Sequence, residues 1–155
     1  MADPVPDRQE VDDASWRAAL AACRAELAAV KARAAEDHAR HRRYAAIIDA
    51  SRDPIWSWDL DGIITSWNSE AERLFGYAAA EIIGKPLLDL VPPDRLEAAQ
   101  EAITTLRGGG WFGQYETVRL RKGGTPVPVE LTVSPIRDAD GNIVGAATVC
   151  RDVTE

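Results

Sequence analysis

The chain has 155 residues, 46% hydrophobic and 28% charged, the balance of one globular domain with a real core. A formal net charge of −7 argues against a nucleic-acid partner, and Cys23 and Cys150, far apart and outside any C-x-x-C spacing, argue against a disulfide framework or a zinc knuckle. No stretch approaches the roughly 20 apolar residues of a membrane span, and the acidic start MADPVPDRQEVDD is unlike a signal peptide, so a cytoplasmic chain with no membrane contact is expected.

Residues 1–13 read as a flexible N-terminus. All eleven glycines fall at or after Gly62, and no proline lies between Pro6 and Pro54, so the first third is built without helix breakers. Residues 14–50, rich in Ala, Arg, Glu and Leu, predict one long helix with Ser15 as its N-cap. Along it Trp16, Leu20, Cys23, Leu27, Val30, Ala34, Asp37, His41, Tyr44 and Ile48 follow at alternating steps of four and three, a heptad seam. The seam predicts a two-stranded coiled coil between identical chains, with Trp16, Leu20, Cys23, Leu27, Val30, Tyr44 and Ile48 as its packing positions. Ala34, Asp37 and His41 weaken its middle, and the alternative is a helix that folds back on its own domain. His38 and His41 have no carboxylate or thiol at further helical spacing to complete a metal site, so no metal is expected.

Residues 51–155 change period. IWSWDL (55–60) closes at Asp61-Gly62, and IITSW (63–67) resumes the strand pattern, which predicts a hairpin. Asn68 or Ser69 then caps a short helix, Glu70 to Phe75, with Glu72 completing a capping box and Gly76 as the stop. A second turn of helix runs from Ala78 to Ile83, and a third helix opens at Pro93 and ends at Gly108, with Leu96, Ala99, Ile103 and Leu106 on one face. Three strands follow, Gln114–Arg121, Val127–Ile136 and Ile143–Arg151, separated by turns at Lys122-Gly123-Gly124 and Asp138-Ala139-Asp140-Gly141. The order β-β-α-α-α-β-β-β is that of an α+β domain, a five-stranded antiparallel sheet with short helices over one face.

That order, carried by IIDASRDPIWSWDLDGIITSWN, by AERLFGY with EIIGKPLLDLVP, and by RLRKGGTPVPVELTVSPIRDADGNIVGAATVCRDVTE, resembles the PAS family of sensory domains over about Tyr44 to Glu155. The resemblance implies a dimeric signal-transduction module that relays a ligand, redox or conformational signal to an effector such as a histidine kinase in a two-component system. It also makes Asp152 and Thr154, in the closing Arg-Asp-Val-Thr, the relay to a following signalling helix. The ending at Glu155 suggests a fragment or a short adaptor. Neither a Gly-rich phosphate loop nor G-x-S-x-G is present, so no enzyme is expected, and kinase or cyclase activity would belong to a separate effector domain.

Cofactors in this family lie between the helices and the inner face of the sheet. Trp56 and Trp58 share one face of their strand by alternation, and the resemblance to flavin-binding relatives turns that face inward. Leu131 and Val133, with Ala146, Thr148 and Cys150, would complete the wall, and Gln114 and Thr148 could supply polar contacts. The tryptophans either stack on a planar ligand or fill the cavity. The reading taken is a filled or weakly ligated core, with noncovalent FAD or a small metabolite as the open alternative. Histidine-ligated haem is not expected, because residues 44–155 contain no histidine and the matching helix position is Ala98. Cysteinyl-flavin photochemistry is not expected either, since Glu81 to Pro93 contains no cysteine. The second functional reading is a ligand-free domain that only dimerises or docks a partner, and the third an FAD-binding redox sensor.

Overall fold

The computed structural model describes residues 13–110 and 113–154. The flexible N-terminus expected over residues 1–13 falls almost wholly outside them, as does Trp111, which the sequence places on a loop. The chain separates at Ala45–Ala46 into two compact units.

Helix α1, Asp13–Asp49, opens the description. Ser15 lies inside it and so is not its cap, because the alanine-rich sequence carries helical geometry past that residue. His38 and His41 each donate from Nδ1 to the carbonyl oxygen four residues back, Ala34 at 3.2 Å and Asp37 at 2.7 Å.

The second unit contains β1 Ile55–Asp59, β2 Ile64–Trp67, α2 Ser69–Phe75, α3 Ala79–Ile82, α4 Leu96–Arg107, β3 Gly113–Leu120, β4 Pro126–Arg137 and β5 Ile143–Asp152. The strands form one sheet in the order β2-β1-β5-β4-β3, every neighbouring pair antiparallel. This is the α+β architecture expected.

Local chemistry explains the turns. Asp59 Oδ1 accepts the amides of Asp61 and Ile63 at 2.9 and 3.0 Å, and Gly62 takes φ 77° to close the β1–β2 hairpin. Ile63 stands outside β2 and bridges Pro86 instead. Asn68 caps α2 through Oδ1, which accepts from Ala71 N at 2.9 Å, and Gly76 ends it at φ 79°. The expected capping box does not form. The Asn68 amide donates to the Ile55 carbonyl, and the Glu72 carboxylate reaches forward to accept from Ala79 N at 2.6 Å. Between α3 and α4 the chain makes two 3₁₀ turns, Leu87–Leu90 and Pro93–Arg95, so Pro93 opens a 3₁₀ turn and α4 itself begins at Leu96.

The core lies between the sheet and these helices. Trp56, Trp58, Ile64, Val127, Val129, Leu131, Val133, Ala146 and Cys150 come from the strands; Ala71, Phe75, Ile82, Ile103 and Leu106 come from α2, α3 and α4. Trp67 joins them. It packs 5.5 Å from Trp56 and 5.4 Å from Phe75 between ring centroids, and its Nε1 donates to the Tyr77 carbonyl at 3.1 Å.

Candidate functional site

Strand alternation places Trp56 and Trp58 on the inner face of β1, Leu131 and Val133 on that of β4, and Thr148 on that of β5, and all five are buried. Trp58 sits opposite Ala146 and Trp56 opposite Thr148 in the β1–β5 register. The Trp58 Nε1 donates to Thr148 Oγ1 at 3.0 Å, so this polar pair satisfies itself inside an apolar wall. The Trp56 Nε1 is buried with no acceptor.

With Leu87 and α4 residues Ala99, Ala102, Ile103 and Leu106, these side chains enclose a cavity of about 20 Å³. That volume holds about one water molecule. The indoles occupy the space between helices and sheet, and a flavin ring system does not fit this arrangement.

Gln114 is a correction. It pairs with Thr132 on the outer face of the sheet, is exposed, and borders a shallow surface depression with Asp53, Glu130 and Arg151. Its neighbours by alternation, Tyr115, Thr117 and Arg119, take the inner face of β3 in its place. Gly113, at the head of the strand, pairs with inward-facing Val133 and sets that phase.

Arg119 is the residue that the sequence reading missed. It is 4% exposed. Its Nη1 donates to Thr117 Oγ1 at 3.3 Å and to the Val118 carbonyl at 3.1 Å, while its Nε has no acceptor. Among the described residues no ion pair involves it. Burial pushes the guanidinium below its ordinary value, and the adjacent Tyr115 works the other way. An arginine nevertheless remains charged. A second cavity of about 220 Å³ opens between α4 and β3, lined by Arg95, Ala98, Ala99, Glu101, Ala102, Tyr115, Thr117 and Arg119.

Cys150 is buried, and desolvation raises its thiol from 9.0 to about 12. The thiol is neutral at physiological pH and acts as a small core group.

At the end of β5, Asp152 Oδ1 accepts the Thr154 amide at 2.8 Å and also the Thr154 hydroxyl, while Arg121 Nη2 approaches Oδ2 at 3.4 Å. The Thr154 hydroxyl and amide hold the Asp152 carboxyl below its ordinary value of 3.8. The two residues assigned to signal relay are thus in contact. On α1, Trp16, Leu20, Leu27, Val30, Tyr44 and Ile48 are between 40% and 64% exposed, and Cys23 is exposed as well.

Comparison with known proteins agrees with this architecture. The family model described as PAS fold matches residues 42–153. Phytochrome C of Arabidopsis thaliana is 34% identical over 113 residues, which are 70% of this chain and 10% of that protein. The chain thus spans about a tenth of the length of the curated relatives it matches. Among solved structures, a PAS domain from Colwellia psychrerythraea is 31% identical with a TM-score of 0.62, covering 73% of this chain and 96% of that one. The PAS domain of an HTR-like protein from Haloarcula marismortui shares the fold at 20% identity, with a TM-score of 0.64 over 79% of this chain and 99% of that one.

Proposed function

Because the chain belongs to the PAS family, a family of sensory domains, we propose that it dimerises through α1 and relays a signal from its inner cavity to an effector such as a histidine kinase. One observation carries the relay. A single strand, β5, bears both Thr148, in the cavity wall and bonded to Trp58, and Asp152, bonded to Thr154. A shift of the wall has a short route along this strand to the point where an output helix would begin. A few kcal/mol of differential ligand affinity is enough to bias two states of such a junction. In this reading the chain binds and relays, in the cytoplasm, and chemistry belongs to the effector.

The experiment is amide exchange on Thr148→Val, which leaves the Trp58 Nε1 without its acceptor. Local opening at Arg151 to Thr154 is expected to speed up about fivefold, the effect of roughly 1 kcal/mol. Exchange that changes at Trp58 and not at the junction would contradict the relay. The aromatic filling of the cavity favours a second reading, a domain that only dimerises or docks. That reading expects no small molecule to raise the melting temperature, whereas a ligand at concentration [L] adds RT ln(1 + [L]/Kd).

A further inference from the structure

We propose that the cleft between α4 and β3 binds a small organic carboxylate, with Arg119 as its counter-ion. The inference rests on the sensory reading and names the ligand class for it.

Arg119 is 4% exposed, has no carboxylate partner among the described residues, and keeps a buried Nε–H without an acceptor. Burying a charge without a partner is costly, and a guanidinium presents its remaining donors in a fork that a carboxylate satisfies with two parallel bonds. The neighbouring groups do not neutralise it. Arg95 adds a second positive charge that pushes the Arg119 guanidinium further down, whereas Tyr115, through charge attraction and a side-chain hydrogen bond, favours the charged form without being a carboxylate. Glu101 is the one carboxylate among the lining residues and is exposed at the rim. Arg95 is itself paired with Asp94 at 3.8 Å, so Arg119 is the buried cation of the cleft left for a monoanion.

Size and lining set the rest of the ligand. The alanine side chains of α4, Ala98, Ala99 and Ala102, leave about 220 Å³ open against Tyr115, below the roughly 300 to 1,000 Å³ of drug-sized pockets. An apolar body of a few carbon atoms would lie on those methyl groups. Ala99, Ala102, Tyr115 and Arg119 also line the enclosed cavity, so a molecule held there touches the same wall as Trp58 and Thr148.

The test uses the full chain with butyrate, hexanoate and benzoate, each beside its primary amide, and with inorganic phosphate. Melting temperature and calorimetric titration are the readouts. At least one carboxylate is expected to stabilise the protein and its amide not. Arg119→Met is expected to weaken that binding at least about tenfold, as befits loss of a charge-assisted pair. Arg119→Lys, which keeps charge and loses the fork, is expected to weaken it less, and serves if the methionine variant fails to fold. Equal stabilisation by acid and amide would overturn the role of Arg119 while leaving a ligand-binding sensor in place. Stabilisation by phosphate alone would overturn the organic carboxylate. So would the absence of any carboxylate effect, or a carboxylate affinity unchanged in Arg119→Lys and Arg119→Met.

Discussion

Asn68 shows how much structure one side chain can organise. Its Oδ1 accepts from Ile55 N and Ala71 N, and its Nδ2 donates to the carbonyls of Ile48 and Asp53, so the head of β1, the start of α2 and the last turn of α1 meet at one amide. Asn68→Ala removes a helix cap and leaves buried groups unpaired, and is expected to cost about 2 to 4 kcal/mol, read by urea denaturation. The two cysteines differ sharply in surroundings. Iodoacetamide near neutral pH is expected to reach Cys150 only after unfolding, because burial holds that thiol neutral up to about 12. Rapid labelling of Cys150 in the folded chain would contradict its placement in the core. Asp152 gives a pH signature of the opposite sign. Its carboxyl is depressed in the fold, so the bonds to Thr154 are complete above 3.8 and are lost as pH falls through the lower folded value. The Thr154 amide resonance, followed through acid titration, is expected to move below 3.8 in the native chain and to stay still in Asp152→Asn.

The cap at Asn68 was legible because side-chain type and turn position fix it locally, and the closing Asp-Val-Thr through its resemblance to the family's junction. Arg119 was not. A lone arginine in a strand reads as solvated, and only the register of β3 against β4 turns it inward.

At the scale of elements, the phase of β3 shows where sequence reasoning stops. Its two faces are Gln114, Glu116 and Val118 against Tyr115, Thr117 and Arg119, and neither set is plainly apolar, so alternation alone does not choose the inner one. β4 is the contrary case. Val127, Val129, Leu131 and Val133 alternate with Pro128, Glu130 and Thr132, and the inner face follows directly. The β1–β5 pair depends on a close approach. A Cβ at Gly145 would overlap the Trp58 carbonyl oxygen, so Gly145→Ala must push the two strands apart. That variant is expected to melt lower by several degrees and to loosen the cavity wall, seen as faster indole exchange at Trp58. The 3₁₀ turns between α3 and α4 escaped sequence reading because prolines at 86, 92 and 93 mark breaks without specifying the turn.

For the whole molecule, the domain supplies a walled cavity, a cleft beside it with the buried Arg119 in its wall and a hydrogen-bonded junction, and α1 supplies an exposed apolar seam. Large side chains spaced at four and three along a helix gain stability when a second copy covers them. A PAS sensory domain that signals as a dimer would use that seam. The most direct measurement is sedimentation equilibrium on the full chain and on the Leu20→Ala/Leu27→Ala variant. The account expects a dimer for the native sequence, and dissociation at least about tenfold easier for the variant, from the apolar area lost at four leucine positions per dimer. A native chain that sediments as a monomer, or a variant whose dimer is as tight as the native one, would contradict the account.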